Sequence, residues 1–415
     1  MTTLAILVRR TRTFSLLCLL LVLARSGVLQ ADVNTLDEDS VQATSEVTEE
    51  ARREITAELI EDTQSARSLR TLLLGRNYIF FGRVGLEYAA YSGDIPASED
   101  GGDLRRLRVG IAGLATFFDR LSYKLELDLT DGTNNLSDLY VQWDFRKNSS
   151  IRVGNQRASQ NLSAMTSSLS QLFMERPLPV DTFSMNRRLA VSYDVDRGRW
   201  GMRGMFFGRD ANNDAGKYGG AFRLIANPIR GPKHIGHIGL SVISEKMDRE
   251  ARYRTLPESN VTDFRLVDTG LLDDVQYQHT VGVELAGGKD ASSIRLELFR
   301  SRWDREAGRR NTFNGAYLEV GHYLTGQSFN YKKGKFVRPD LESGARAWEV
   351  GLRASWVDLN DRDVLGGEQW NFGAALNYYR RPDLRFMFNL LRFKTDSAAG
   401  GDRGWILQTR VQFNL

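Results

Sequence analysis

An antiparallel β-barrel of about sixteen strands that crosses a bilayer is the fold class this 415-residue sequence predicts. Three observations carry the prediction. Apolar and polar residues alternate with period two from Tyr78 onward, short polar turns alternate with long connecting stretches, and an export signal stands at the N-terminus. Hydrophobic residues make up only 41% of the chain, and its one long apolar run, Phe14 to Ala24, is shorter than the roughly 20 residues a spanning helix needs. A bundle of membrane helices is therefore excluded.

That run follows Arg9, Arg10 and Arg12 and reads as a signal peptide over residues 1–31, ending near Ala31. Cys18 is the only cysteine and lies inside it after Leu17, where a lipid-anchored cysteine would follow a small residue. The exported chain then has no disulfide and no thiolate metal site. With only His234, His237, His279 and His322, neither a metal nor another cofactor is expected.

Residues 32–77 form an acidic segment. Over 41–74, Val47, Ala51, Ile55, Leu59, Ala66, Leu69 and Leu73 recur at intervals of about three and four, without Gly or Pro, so the spacing predicts an amphipathic helix or short coiled coil. It serves either as a solvated spacer or as a trimerising or periplasmic contact. The signal holds four of the 56 basic residues and no acid, leaving 52 basic against 52 acidic residues. Residues 32–76 hold eleven acids and five Arg, so 77–415 carries 47 minus 41, or +6. So small an excess, without a binding motif, argues against nucleic acid.

The barrel is read over 78–415. In Leu407-Gln408-Thr409-Arg410-Val411-Gln412-Phe413-Asn414-Leu415 one face is Leu, Thr, Val, Phe, Leu and the other Gln, Arg, Gln, Asn. Comparable runs begin near Tyr78, Leu104, Leu121, Leu136, Ser150, Leu189, Arg199, Lys217, Ile235, Tyr277, Ser292, Thr312, Arg346, Gln369, Asp383 and Arg403. Phe118 to Arg120 and Arg380 to Asp383 are tight turns. Ser92 to Asp103, Ser244 to Gln276 and Tyr331 to Gly344 are read as long outer loops. A soluble sandwich also alternates, but Trp143, Trp348, Trp356, Trp370, Tyr378 and Phe386 sit toward strand ends on the apolar faces, as interfacial girdles do. In a bilayer, closure pairs every backbone group.

Alternation turns Arg83, Arg106, Arg108, Arg152, Arg203, Arg223, Arg295, Arg353, Arg385 and Arg410 inward. Guanidinium stays charged and donates paired hydrogen bonds, so a lumen lined with it draws anions. Glu126, Asp128, Asp138, Asp144, Glu284, Glu297, Glu319 and Glu349 share that face, so about half of these arginines are read as braces of the wall. Residues 156–186 contain Thr166-Ser167-Ser168, then Leu169, Leu172, Phe173 and Met174, then Glu175-Arg176-Pro177. An outer loop has no use for that apolar patch, whereas a loop folded against the inner wall does.

The stretches Arg105-Arg106-Leu107-Arg108-Val109-Gly110, Tyr123-Lys124-Leu125-Glu126-Leu127-Asp128, Asp138-Leu139-Tyr140-Val141, Ile151-Arg152-Val153-Gly154-Asn155-Gln156, Phe173-Met174-Glu175-Arg176, Trp348-Glu349-Val350-Gly351-Leu352-Arg353 and Asp383-Leu384-Arg385-Phe386-Met387 resemble, in their order, the phosphate-selective porin O and P family. The resemblance covers about 78–415. It implies a sixteen-stranded homotrimeric channel of the bacterial outer membrane, with a third loop narrowing the pore and arginines leading anions such as phosphate to a central site. Matched by motif, Arg83, Arg105, Arg106 and Arg176 fall at lumenal basic positions and Ser167 and Ser168 at the hydroxyl pair of the constriction. Arg157, Ser167, Ser168 and Arg176 are then expected against Arg105 and Arg106. The family's phosphate-preferring members resemble one another in a Lys just before the hydroxyl pair, where this chain has Asn161, Leu162, Ser163, Ala164 and Met165.

The expected function is passive diffusion of small hydrophilic solutes, anions preferred, by a barrel in contact with outer-membrane lipids. The rival classes are a structural barrel tethering the envelope through the 41–74 helix, and an outer-membrane hydrolase built on Ser241 near His237 or on Ser122. No nucleophile motif supports the hydrolase.

Overall fold

The computed structural model describes residues 78–414 except 96–98, 116–117, 119, 131–134, 212–216, 340, 342–344 and 397–399. The signal peptide of 1–31 and the helical segment of 32–77 lie outside the described residues. The chain builds β1 (Tyr78–Gly93), β2 (Gly101–Leu114), β3 (Leu121–Asp128), β4 (Asn135–Arg146), β5 (Ser149–Arg157), β6 (Arg187–Asp196), β7 (Trp200–Phe207), β8 (Tyr218–Gly231) and β9 (His234–Ala251). It continues with β10 (Arg254–Thr255), β11 (Val267–Asp268), β12 (Leu272–Lys289), β13 (Ser292–Arg305), β14 (Arg310–Tyr323), β15 (Asn330–Lys332), β16 (Lys335–Val337), β17 (Ala347–Asp361), β18 (Val364–Arg381), β19 (Leu384–Asp396) and β20 (Arg403–Asn414). Sixteen of these close one antiparallel barrel, with β1 paired to β20 from Arg83↔Asn414 to Gly93↔Gly404, while β10–β11 and β15–β16 form separate hairpins.

Alternation sorts the two faces of the wall. On β17, Ala347, Glu349, Gly351, Arg353 and Ser355 are turned inward, and Trp348 and Leu352 outward. Leu352, Leu407, Phe372 and Phe80 are more than half exposed, an apolar outer surface of the kind that faces lipid. Aromatic rings border it at both ends. Trp348 stacks on Tyr378 at 4.5 Å and Tyr378 on Phe386 at 6.2 Å near the end that carries Tyr78 and Asn414, here the near end. Trp370 stacks on Phe372 toward the far end, where the indole N–H groups of Trp356 and Trp370 both donate to Glu368.

Three connections turn into the lumen and supply most of its apolar core. The first runs from β5 to β6 over 158–186 and includes the single-turn α1 (Leu162–Met165) and α2 (Leu178–Phe183). Its Leu172 rests on the wall at Gly351, where an added Cβ would lie 2.4 Å from the leucine side chain. The second, 252–271 between β9 and β12, packs Tyr253, Val267 and Leu266 beside Phe183, Trp303 and Phe393. The third, 324–346 between β14 and β17, sets Phe329, Phe336 and Leu341 against Tyr323, Tyr379 and Leu162 of α1. Its Phe329 occupies the space a Cβ on Gly288 would fill, 2.6 Å away.

That third connection corrects the sequence reading. The connection read as an outer loop from Tyr331 joins β14 to β17 at the near end with the tight turns, and its hairpin β15–β16 rises into the barrel. The stretch from Ser244 to Gln276 is also shorter as a loop than read, because β9 continues to Ala251 and β12 begins at Leu272.

Candidate functional site

Strict alternation would turn one of the neighbouring residues Arg105 and Arg106 toward lipid, and a β-bulge prevents it. Gly85 pairs with Arg106 and Glu87 with Asp103, so Leu104 and Arg105 together oppose the single residue Leu86. Both guanidinium groups reach the 158–186 segment. Arg105 donates to both Glu175 oxygens at 3.0 and 3.1 Å, and Arg106 donates to the Ser168 hydroxyl.

Glu175 is clamped from two sides, because Arg410 also bonds it while holding Glu87. Burial by itself would raise the Glu175 carboxyl, but Arg105 and Arg410 hold it well below the usual carboxylate range. Arg176, next in the chain, is different. Its Nη2 approaches only the carbonyls of Ala164 and Thr166, at 3.5 and 3.4 Å, and its Nε is buried without a partner. Burial pulls this guanidinium down to about 10, with Glu175 opposing the shift, so it stays charged at neutral pH.

The remaining predicted residues fall into two groups. Near Ser168, Arg83 donates to its hydroxyl at 3.4 Å and also meets Glu126 at 3.5 Å, while Arg157 shares the Ala164 and Thr166 carbonyls with Arg176, at 2.7 and 3.3 Å. Ser167 is not brought to the arginines; its hydroxyl accepts from the Leu169 N–H at 3.4 Å. Away from this cluster, Arg108 is paired to Glu126 and Asp128 at 3.1 and 2.7 Å, and Arg152 donates to Gln142 at 2.9 Å and lies over Tyr140. Arg203 bonds Gln156 at 2.7 Å and Asp194 at 3.3 Å, and Arg223 forks onto Glu284 at 2.9 and 2.7 Å.

Several inward arginines serve as fasteners for the inserted segments. Arg385 donates to the Gln171 carbonyl at 2.9 Å, Arg410 to that of Met174 at 2.7 Å, and Arg353 to that of Glu175 at 2.9 Å. Arg353 also meets Glu319 and, at 3.1 Å, Glu258 of the second insert. Arg223 holds the third insert through the Gly334 carbonyl at 2.9 Å. Where the family's Lys would stand, Asn161 caps α1, and the Leu162 and Ser163 N–H groups donate to Glu297 at 2.8 Å each.

Sequence reasoning missed Glu175, Glu258, and Tyr331, which donates toward or accepts from His237 Nδ1 at 2.5 Å. The signal for the second and third inserts was available. Tyr253, Phe264 and Leu266, like Phe329, Tyr331 and Phe336, are apolar residues in connections that have no need of them, the argument applied only to 156–186. Of the proposed hydrolase residues, His237 faces Glu284 and Tyr331 through its two ring nitrogens, and the Ser241 hydroxyl donates to the Gly282 carbonyl at 3.5 Å.

Comparison with known proteins places this geometry. The sequence matches the family described as phosphate-selective porin O and P over residues 73–415. An uncharacterized protein of Caulobacter vibrioides is 32% identical over 311 residues, 70% of this chain, and the chain spans 62% of that relative's length. Among solved structures, the anion-selective porin of Comamonas acidovorans superposes with a TM-score of 0.55 at 12% identity, over 81% of this chain and 99% of that one. The trimer form of OmpT, an outer membrane protein of Vibrio cholerae, gives 0.50 at 11% over 81% and 99%. The outer membrane channel DcaP of Acinetobacter baumannii gives 0.51 at 10% over 81% and 97%.

Proposed function

The chain belongs to the phosphate-selective porin O and P family, barrels of the bacterial outer membrane, and on that premise we propose that it is a passive channel for small hydrophilic solutes that prefers anions. The observation that carries the preference is the state of Arg106 and Arg176. Arg106 is buried against the inserted loop and Arg176 is half-buried within it, both leave a buried Nε without a partner, and neither has a carboxylate partner among the described residues. A permanent charge left uncompensated in a narrow neck attracts an oxyanion and offers it free donors. Each charge-assisted contact is worth roughly 1.5–3 kcal/mol, enough for a weak site and shallow enough for release.

In this reading residues 156–186 are the constriction, with Arg106, Arg176 and Ser168 at its centre and Arg83 and Arg157 beside them. Arg108, Arg152, Arg203 and Arg223 brace the wall. The short turns beside Tyr78 and Asn414 face the periplasm and the far end faces outward, as turn lengths in outer-membrane barrels run. The homotrimer implied by the family and an amphipathic helix over 41–74 complete the proposal. Reversal potentials across a salt gradient test it: the purified protein in a planar bilayer is expected to report anion preference. Cation preference would overturn the role given to Arg106 and Arg176.

A further inference from the structure

The outer wall carries a basic cluster at the far end that pore function leaves unexplained. Strand register sets Trp370, Lys394 and Arg403 in one outward row across β18, β19 and β20, and Phe372, Arg392 and Trp405 in the next. Lys394 and Arg403 are exposed, and Arg392 lies 5.1 Å over the Trp405 ring. None of the three cationic side chains has a carboxylate partner among the described residues; Asp94 accepts at 2.7 Å from the Arg403 backbone N–H and not from its guanidinium, and Glu368 and Asp396, one row further on, bond none of them. Below the cluster the same face turns mainly apolar, with Leu390 beside Leu407 and then Phe388 beside Thr409, the two leucines and the phenylalanine each more than 40% exposed.

A second group of basic side chains on the outer wall does have a carboxylate among it, Asp304. Arg302 at 3.0 Å, His279 at 3.3 Å and Arg310 at 3.4 Å all converge on Asp304. Three unneutralised cations directly above an apolar strip, at the height of an aromatic girdle, match a molecule with an anionic head and acyl chains.

We infer that Arg392, Lys394 and Arg403 hold the anionic headgroup of a glycolipid of the outer leaflet, its acyl chains lying along Leu390, Leu407 and Phe388. The inference rests on the outward orientation given under the proposed function, and not on what passes through the pore. Guanidinium and ammonium groups side by side suit a phosphate oxyanion, and the tryptophan under Arg392 holds that guanidinium in place without neutralising it.

Native mass spectrometry of the detergent-purified full chain with bisphosphorylated lipid A tests it. The wild type is expected to retain the lipid, and R392Q/K394Q/R403Q to bind it at least about tenfold more weakly, as loss of charge-assisted contacts requires. The single variant K394Q, at an exposed position, is expected to be intermediate, and heat-shifted gel mobility verifies that each barrel is folded. R302Q/R310Q is expected to bind like the wild type. Lipid A stripped of its phosphates is expected to bind weakly, and millimolar inorganic phosphate to displace nothing. Equal retention by the folded triple variant, equal loss in R302Q/R310Q, equal binding of the stripped lipid, or displacement by inorganic phosphate would each overturn the site. Conductance separates this from the channel reading, since the triple variant is expected to keep wild-type ion selectivity.

Discussion

Arg410 and Arg106 are both inward arginines touching the same inserted loop, and the structure uses them in opposite ways. Arg410 bonds Glu87, Glu175 and the Met174 carbonyl, so its charge is cancelled and its donors are spent on holding the loop. Arg106 has the Ser168 hydroxyl and, among the described residues, no carboxylate partner, so its charge remains available to an ion. The difference teaches that the number of arginines in a lumen does not measure its pull on anions. What counts is the number left over once the carboxylates have been assigned.

Breaking the fastening side should have the largest effect. Arg410→Ala leaves Glu87 buried without its partner and Glu175 with Arg105 alone, and removing one member of a buried pair costs about 3–5 kcal/mol. We expect a clear fall in the unfolding temperature in detergent, together with enlarged, noisy single-channel currents as the loop loosens. A variant with wild-type stability and quiet currents would show that Arg410 is not a fastener.

The uncompensated side should respond in selectivity instead. Arg106→Ala and Arg176→Ala are each expected to lower the anion-to-cation permeability ratio several-fold, about 1 kcal/mol of electrostatic attraction, with little change in thermal stability. Arg353→Ala, which removes a guanidinium paired with Glu319 and Glu258, should change selectivity less. If all three behave alike in reversal-potential measurements, the distinction between neutralised and free arginines fails.

Glu175→Gln moves Arg105 from one class to the other, because it removes that guanidinium's carboxylate while keeping the side-chain shape, and Arg410 keeps Glu87. Anion preference should rise, by a factor smaller than the loss in Arg106→Ala. The pH dependence follows from the same residue. Its carboxyl titrates lower in the folded chain than in the unfolded one, so it adds stability everywhere above the ordinary carboxylate range and loses that contribution only as pH falls through its depressed value. The stability difference between wild type and Glu175→Gln should therefore be flat from about pH 8 to about pH 5, since unperturbed Glu titrates near 4.3. A transition inside that window would mean the clamp is weaker than its geometry.

The smallest effect concerns phosphate. With Asn161 and α1 standing where the family's Lys would be, phosphate is expected to reduce chloride current only at millimolar or higher concentration, the range of a site worth about 4 kcal/mol. Block at micromolar concentration would show that Arg106 and Arg176 suffice for tight binding.

Strand number, strand starts and the inward or outward turn of most side chains are legible in the sequence because they depend on a local period of two residues. The runs read from alternation begin within a few residues of the strands formed, and the C-terminal run becomes β20. The apolar patch Leu169 to Met174 likewise announced a loop that packs against wall, since burying it requires only a surface to meet. Which arginine is neutralised is not local. Arg410 finds Glu87 across 323 residues and Arg353 finds Glu258 across 95, pairings set by barrel closure and by an insert entering from another loop. The bulge opposite Leu86, which brings Arg105 and Arg106 to the same side, depends on a register between two strands. The hairpin that rises from the near end owes its position to Gly288, which leaves room for Phe329, and to the Arg223 fork on Glu284 and Gly334. Alternation along one chain specifies which way a side chain turns; only closure of the sheet on itself decides what it meets there, because the partners come from opposite ends of the sequence.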